Sequence, residues 1–249
     1  MKKLIVANWK MNPQTTKDAG QLAEGISSNC SKMKNVETVV CPPFVYLDLL
    51  SKFKIKLGAQ DVFWGNRGSF TGEISSLMLK DAGVKYVIIG HSERRAELGE
   101  TNDLINKKIK TALKNNLKVI FCIGEKHRDE KGDYLKFVKK QLLKGLEKVT
   151  RNEMKNLMIA YEPVWAISSN KNAQADTAEN LFQMSVYIRR AIFLKFGRKI
   201  AKEIPILYGG SVNEKNAKDF LENGKVQGLL VGKASLSIKS FSEILKSIK

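Results

Sequence analysis

The sequence predicts the α/β class and, within it, a single-domain (β/α)8 barrel spanning residues 1–249. Three observations carry that expectation. Short apolar runs alternate with longer amphipathic segments, and eight strands each followed by a helical segment is the count of a closed barrel. The 249 residues include only five prolines, with no low-complexity tract, internal repeat or linker-like stretch to mark a domain boundary. Finally, no GxGxxG or GxxxxGK(S/T) pattern is present, so the Gly-rich first turn common in an open doubly wound sheet is missing. That open sheet is the other architecture such an alternation could build.

The strands expected are Leu4–Ala7, Thr38–Cys41, Lys56–Ala59, Tyr86–Ile89, Val119–Ile123, Met158–Tyr161, Ile206–Tyr208 and Gly228–Val231. Chemistry in a barrel belongs at the C-terminal ends of its strands, so the exits are read in order. Strand one leads into Asn8-Trp9-Lys10-Met11-Asn12, which puts an ammonium at the mouth. Strand three leads into a long connection, Gln60–Glu73, whose flanks Val62, Phe63, Trp64 and Phe70 are too apolar for a loosely solvated loop. Strand four leads into Gly90-His91-Ser92-Glu93-Arg94-Arg95, a His ahead of a helix start with Ser92 read as its N-cap. The positive end of that helix favours a neutral imidazole. After strand five, apolar residues recur every three or four positions over Asp129–Val149, and again over Thr177–Phe196 after strand six.

Strand six delivers Glu162, which Pro163 restricts to extended backbone. Burial at a strand end disfavours the charged carboxylate, which suits a general base; a structural Glu paired with Lys or Arg is the plainer reading. The following Val164-Trp165-Ala166-Ile167 is apolar without helical periodicity, as expected of a lid tip that docks over a ligand and excludes water. Strands seven and eight lead into Tyr208-Gly209-Gly210-Ser211-Val212-Asn213 and Val231-Gly232-Lys233-Ala234-Ser235. Both read as Gly-containing turns entering helices, where exposed backbone N–H groups suit a phosphate. Taken singly these signals are weak: Gly-Gly can be only a turn, Lys10 a surface residue, His91 a core histidine. Their force is that the exits of strands one, four, six, seven and eight share one barrel rim.

Composition narrows the function classes. Forty-three basic against twenty-five acidic residues give a net charge of +18. Much of the excess falls on expected helix faces (Lys107, Lys108, Lys110, Lys114; Lys136, Lys139, Lys140, Lys144, Lys148) without the interleaved aromatics of a single-strand stacking platform. The reading is a solvated basic surface that can attract an anionic substrate, with nucleic-acid binding the minority alternative. Cys30, Cys41 and Cys122 are odd in number and lack metal-ligand spacing, which fits reduced thiols in a cytoplasmic protein. His91 and His127 are the only histidines, so a His-rich metal site is unavailable. The N-terminal apolar run is too short for a signal peptide, and no membrane span is expected.

A carboxylate base, an imidazole, an ammonium and a phosphate cradle suit proton abstraction beside a carbonyl in a small phosphorylated substrate. At these residues the chain resembles the triosephosphate isomerase family, essentially end to end. The matching motifs are Asn-Trp-Lys-Met-Asn from residue 8, Thr71-Gly72-Glu73, Gly-His-Ser-Glu-Arg-Arg from 90, Cys122-Ile123-Gly124-Glu125, Ala-Tyr-Glu-Pro-Val-Trp-Ala-Ile from 160 and Tyr-Gly-Gly-Ser-Val-Asn from 208. The resemblance implies the fold known as the TIM barrel and the cofactor-free interconversion of dihydroxyacetone phosphate and glyceraldehyde 3-phosphate, a step of glycolysis and gluconeogenesis. It makes Glu162 the base, His91 the electrophile and Lys10 a substrate-binding cation supported by Glu93. Asn8 would orient substrate oxygens, and backbone N–H groups of Ser168, Ser211, Gly232 and Lys233 would hold phosphate. Ile167 and Leu230 would clamp over the base, with Tyr208 in support. The 60–73 connection would interdigitate in a homodimer, Thr71 reaching the partner's site.

Three departures stand out. The family usually carries Gly-Thr-Gly after the lid tip, where this chain has Ser168-Ser169-Asn170, so lid closure is expected to be altered with the chemistry retained. Lys233 replaces a more usual Gly, and Phe196–Ile204 is longer and more basic than usual. Other phosphate-binding barrels, an aldolase or a sugar-phosphate epimerase, remain the runner-up enzymes, although an aldolase wants a Schiff-base lysine within a strand. A nucleic-acid-binding scaffold built on an inactive barrel is the alternative of a different class.

Overall fold

Strands that are apolar on both faces need a packed layer on each side, and closing the sheet on itself provides both. A computed structural model describes residues 2–30, 33–167 and 174–248. Among these, β1 (Lys3–Asn8), β2 (Val36–Cys41), β3 (Lys56–Ala59), β4 (Tyr86–Ile89), β5 (Lys118–Ile123), β6 (Leu157–Tyr161), β7 (Ile206–Tyr208) and β8 (Gly228–Val231) form a closed parallel barrel in sequence order. The seam pairs β1 with β8, Leu4 opposite Gly228 through Ala7 opposite Val231. A Cβ at Gly228 would lie 2.1 Å from the Leu4 carbonyl oxygen, so this seam closes only on glycine.

The strand period of two divides the core. Leu4, Val6, Val39, Cys41, Tyr86, Ile88, Ile120, Cys122, Met158, Ala160, Leu207 and Leu230 form one cluster filling the barrel. Their neighbours in each strand, Ile5, Ala7, Val40, Val87, Ile89, Phe121, Ile159 and Val231 among them, belong to a second cluster beneath the helices. This explains why the strands read as continuous apolar runs instead of alternating ones. The helical layer comprises α1 (Thr16–Cys30), α2 (Leu47–Ser51), α3 (Ser76–Asp81), α4 (Ser92–Glu97), α5 (Asn102–Lys114), α6 (Asp133–Gly145), α7 (Ala178–Phe196), α8 (Arg198–Glu203), α9 (Ala217–Glu222) and α10 (Ile238–Ser247). None of the described helices is long and apolar enough to cross a membrane.

All eight expected strands are found, four with the expected bounds and four extended by one or two residues, and Thr177 caps α7 by accepting from the Asn180 N–H at 3.2 Å. Three expectations need correction. The pattern Asp129–Val149 is helical only over α6: the Asp129 carboxylate accepts from the Asp133 and Tyr134 N–H groups at 2.9 and 3.0 Å, and Gly132 takes φ 74°, which holds the preceding turn outside the helix. Lys108, read as part of a solvated face, is 3% exposed and ion-paired with Asp61 and Glu100. Third, the strand-seven exit does not enter a helix directly, because α9 begins only at Ala217 after a turn at residues 214–216.

Candidate active site

Continuing the inward-facing alternation to the C-terminal ends of β1 and of β3 to β8 places Asn8, Gln60, Gly90, Gly124, Glu162, Gly209 and Gly232 on the inner rim of the mouth. The rim thus carries two amides, one carboxylate and four positions without a side chain. At two of these positions glycine is required by Glu162. A Cβ at Gly124 would lie 1.8 Å from the Glu162 carbonyl oxygen, and one at Gly209 would lie 2.8 Å from Glu162 Cγ. Glu162 is therefore seated by its neighbours' lack of bulk.

Glu162 is 1% exposed. The Ser92 N–H donates to its Oε2 at 2.9 Å, and its Oε1 lies 3.3 Å from His91 Nε2. The α4 N-cap is His91 itself and not Ser92 as expected. His91 Nδ1 accepts from the Glu93 N–H at 3.3 Å, whereas Ser92 Oγ is buried without a hydrogen bond. With Nδ1 committed as an acceptor, the neutral ring carries its proton on Nε2, the nitrogen that faces Glu162. Beneath them Cys122 touches Glu162; burial and then the Glu162 carboxylate push its thiol well above the ordinary range, so it remains a neutral neighbour.

Lys10 has the left-handed φ of 52°, uncommon for a side-chain-bearing residue. Two hydrogen bonds hold it there: its N–H donates to Asn8 Oδ1 at 3.0 Å, and the Gln60 amide donates to its carbonyl at 2.8 Å and to that of Cys41 at 2.9 Å. Its ammonium pairs with the Glu93 carboxylate. Asn8, Lys10, His91, Ile167, Leu230, Gly232 and Lys233 line one small pocket at the mouth, of about 40 Å3, with Glu162 beneath it against His91 and Gly209. Ser211 is directed differently: its N–H and Oγ both donate to the Ala166 carbonyl, at 3.0 and 2.6 Å. Tyr208 is buried, and its hydroxyl meets the Asp176 carboxylate; burial, then Asp176, push it far above the ordinary tyrosine range, so it stays a neutral donor. Thr71 is exposed on the 60–73 connection and outside the pocket. Ser168, with the departure Ser168-Ser169-Asn170, lies outside the described residues.

Sequence reasoning passed over the groups that anchor the apolar loop after Glu162. Glu125, 1% exposed, accepts on one oxygen from Tyr161 at 2.7 Å, Trp165 Nε1 at 3.0 Å and Arg128 Nε at 3.1 Å. The Arg128 guanidinium also lies over the Trp165 ring, 5.1 Å from its centroid. Gln60 was likewise unassigned. The signal available for Glu125 was its place directly after inward-facing Gly124, and for Gln60 its place directly after strand three, the same exit position that singled out Glu162. Among the described residues no group of His, Cys, Asp and Glu is arranged to hold a metal ion.

Residues 3–248 match the family model described as triosephosphate isomerase. The chain is 46% identical to the protein named triosephosphate isomerase of Carboxydothermus hydrogenoformans, over 98% of each chain. It is 42% identical to the protein of that name from Dictyoglomus turgidum over 99% of each, and 44% identical to that from Alkaliphilus oremlandii over 98% of each.

Proposed function

The chain belongs to the triosephosphate isomerase family, and we propose that it interconverts dihydroxyacetone phosphate and D-glyceraldehyde 3-phosphate within one (β/α)8 domain, residues 1–249. The observation that carries this reading is the buried Glu162–His91 contact of 3.3 Å beside the Lys10 ammonium. Glu162 removes the proton from the carbon next to the carbonyl. The released electron pair forms the enediolate double bond, and charge moves onto the carbonyl oxygen. The Nε2–H of His91 donates to that oxygen while Lys10, held by Glu93, supplies the neutralising cation. His91 passes its Nε2 proton to the former carbonyl oxygen and takes up the proton of the adjacent hydroxyl. Glu162 returns its proton to the carbon that bore the carbonyl, so the hydroxyl oxygen becomes the new carbonyl and both side chains regain their starting protonation. A Glu base with a neutral His electrophile is this family's known division of labour, and the Nδ1 hydrogen bond supports its transfer here.

Asn8 orients the substrate oxygens, and the N–H groups of Gly232 and Lys233 receive the phosphate at the β8 exit. Ser168 is assigned the same role by the resemblance, and Ser211 joins them once its N–H leaves the Ala166 carbonyl. Ile167 and Leu230 cover the site. An ammonium paired with a carboxylate acts as a fixed cation and not as a Schiff-base amine, which favours isomerisation over the aldolase reading. We further place the protein in the cytoplasm as a homodimer.

A coupled assay on purified protein in both directions is the direct test. Glu162→Gln is expected to lower kcat by about a thousandfold or more while the fold is kept, within the range of general-base deletions. An inactive wild type would overturn the proposal.

A further inference from the structure

A concavity of about 740 Å3 lies at the opposite end of the barrel from Glu162, beside the N-terminal ends of β6 and β7. That falls within the ~300–1,000 Å3 typical of small-molecule sites. Its construction is local. Helix α7 stops at Phe196 because Gly197 takes φ 91°, and α8 starts afresh at Arg198. The Arg189 guanidinium fixes this segment, donating to the carbonyls of Ala201 at 2.7 Å and Ile204 at 3.1 Å and to Gln227 Oε1 at 2.6 Å. It thereby stands as a fixed wall across from the 3-10 turn Glu153–Asn156.

Floor and rim differ sharply in character. Met154, Phe196 and Ile204 supply apolar surface, and each is less than a tenth exposed. The rim carries the exposed side chains of Arg151, Lys155, Arg198 and Lys199 against one carboxylate, Glu203. Among the described residues none of these four cations forms an ion pair. Cations without partners above a recessed apolar floor complement a ligand with an apolar body and an anionic head. The recessed floor argues against a membrane surface, which could not descend to it. A nucleic acid is disfavoured because the rim carries no aromatic side chain on which bases could stack.

We propose that this pocket binds a small amphipathic anion, an aromatic ring or short chain bearing a sulfonate, carboxylate or phosphate, independently of the chemistry at the mouth. The probe is 1-anilinonaphthalene-8-sulfonate, titrated by fluorescence into the full chain. Saturable binding at one site per chain is expected, weakened about tenfold or more by Arg198→Glu with Lys199→Glu, since each tenfold corresponds to only ~1.4 kcal/mol. The neutral pair Arg198→Gln with Lys199→Gln should show a smaller loss. Isomerase activity should be unchanged in both variants, which also reports their folding. Naphthalene-1-sulfonate should displace the dye at far lower concentration than methanesulfonate. The proposal is overturned by absent or unsaturable binding, by equal affinity in the charge-reversed variant, or by equal competition from methanesulfonate. Displacement by a single-stranded oligonucleotide at lower concentration than naphthalene-1-sulfonate would assign the surface to nucleic acid instead.

Discussion

Gly209 shows how much of the proposed chemistry depends on a side chain that is not there. A methyl at this position would come within 2.8 Å of Glu162 Cγ, and Glu162 has little room to move, held by Ser92 on one oxygen and faced by His91 on the other. Gly209→Ala should therefore displace Glu162, the proposed base, by a fraction of an ångström to about an ångström, and displacements of that order cost on the order of a hundredfold in rate. Steady-state kinetics beside circular dichroism would show it; unchanged kcat would mean that Glu162 is not seated as described. A second residue-scale prediction concerns the buried cluster in which Lys108 and Arg94 both contact Asp61 and Glu100. Burial alone would raise the Glu100 carboxyl, but Lys108 and Arg94 more than reverse it, so its folded value lies below the ordinary glutamate range. A depressed carboxylate contributes stability above that range and loses it as pH falls through the folded value. Asp61 runs the other way, raised chiefly by burial, so its contribution is lost as pH rises through its own folded value. Melting temperatures from about pH 6 down to about pH 3 should fall less steeply for Glu100→Gln than for the wild type, from a lower starting point. Equal acid slopes would show that Glu100 does not carry this linkage.

Within single elements, available space decides the sign of a substitution that propensity alone would misjudge. Helix α1 contains two glycines, and alanine is worth roughly 0.5–1 kcal/mol more than glycine inside a helix. At Gly20 the nearest atom to a new Cβ is Leu49 Cδ2 at 4.0 Å, an ordinary contact, so Gly20→Ala should stabilise by about that amount. At Gly25 the Cβ would meet three Ile238 side-chain atoms between 2.5 and 2.9 Å, where α1 packs against α10, so Gly25→Ala should destabilise despite its better propensity. Denaturant titration of both variants checks the pair; stabilisation by both would show that the α1–α10 contact yields freely. The same division runs through what could be read from the chain. Strands were legible because closure of the barrel buries both faces and leaves uninterrupted apolar runs such as Val119–Ile123. Helix ends were less so, since the Asp129 cap and the left-handed Gly132 cut off a continuing apolar period. The candidate site was legible where one residue sits at one strand exit, as with Glu162 or Lys10. It was not legible where function needs side chains from separate strands to meet. Gln60 ties the β1 exit to that of β2, and Lys108 reads as one more surface lysine until α5 folds it over Asp61 and Glu100.

For the molecule as a whole, five of the twelve large apolar side chains left in solvent among the described residues lie on one side of the barrel mouth. Met11 follows β1, Val45 follows β2, Trp64 and Phe70 belong to the connection after β3, and Leu98 follows β4; the first two are 84% and 81% exposed. These strands are consecutive neighbours in the barrel, so their exits form one continuous edge. The connection after β3 is also preformed. The Phe63, Trp64 and Phe70 rings pack with centroids 4.5–5.7 Å apart, and Thr111 of α5 donates to the Trp64 carbonyl at 2.7 Å. A contiguous apolar edge around an ordered projection is the signature of an association surface, and a net charge of +18 alone would keep copies apart. The edge supports the proposed homodimer, with each Thr71 carried toward the partner's mouth. Light scattering should then give twice 28.0 kDa for the wild type. Val45→Glu combined with Trp64→Glu should give the monomer mass, because two carboxylates would be buried without partners in the interface. Isomerase activity should fall at least about tenfold in that variant, since the ordered loop that each copy lends its neighbour would be lost with the contact. A monomeric wild type would remove the dimer, and a dissociated variant with full activity would show that each mouth is complete without its partner.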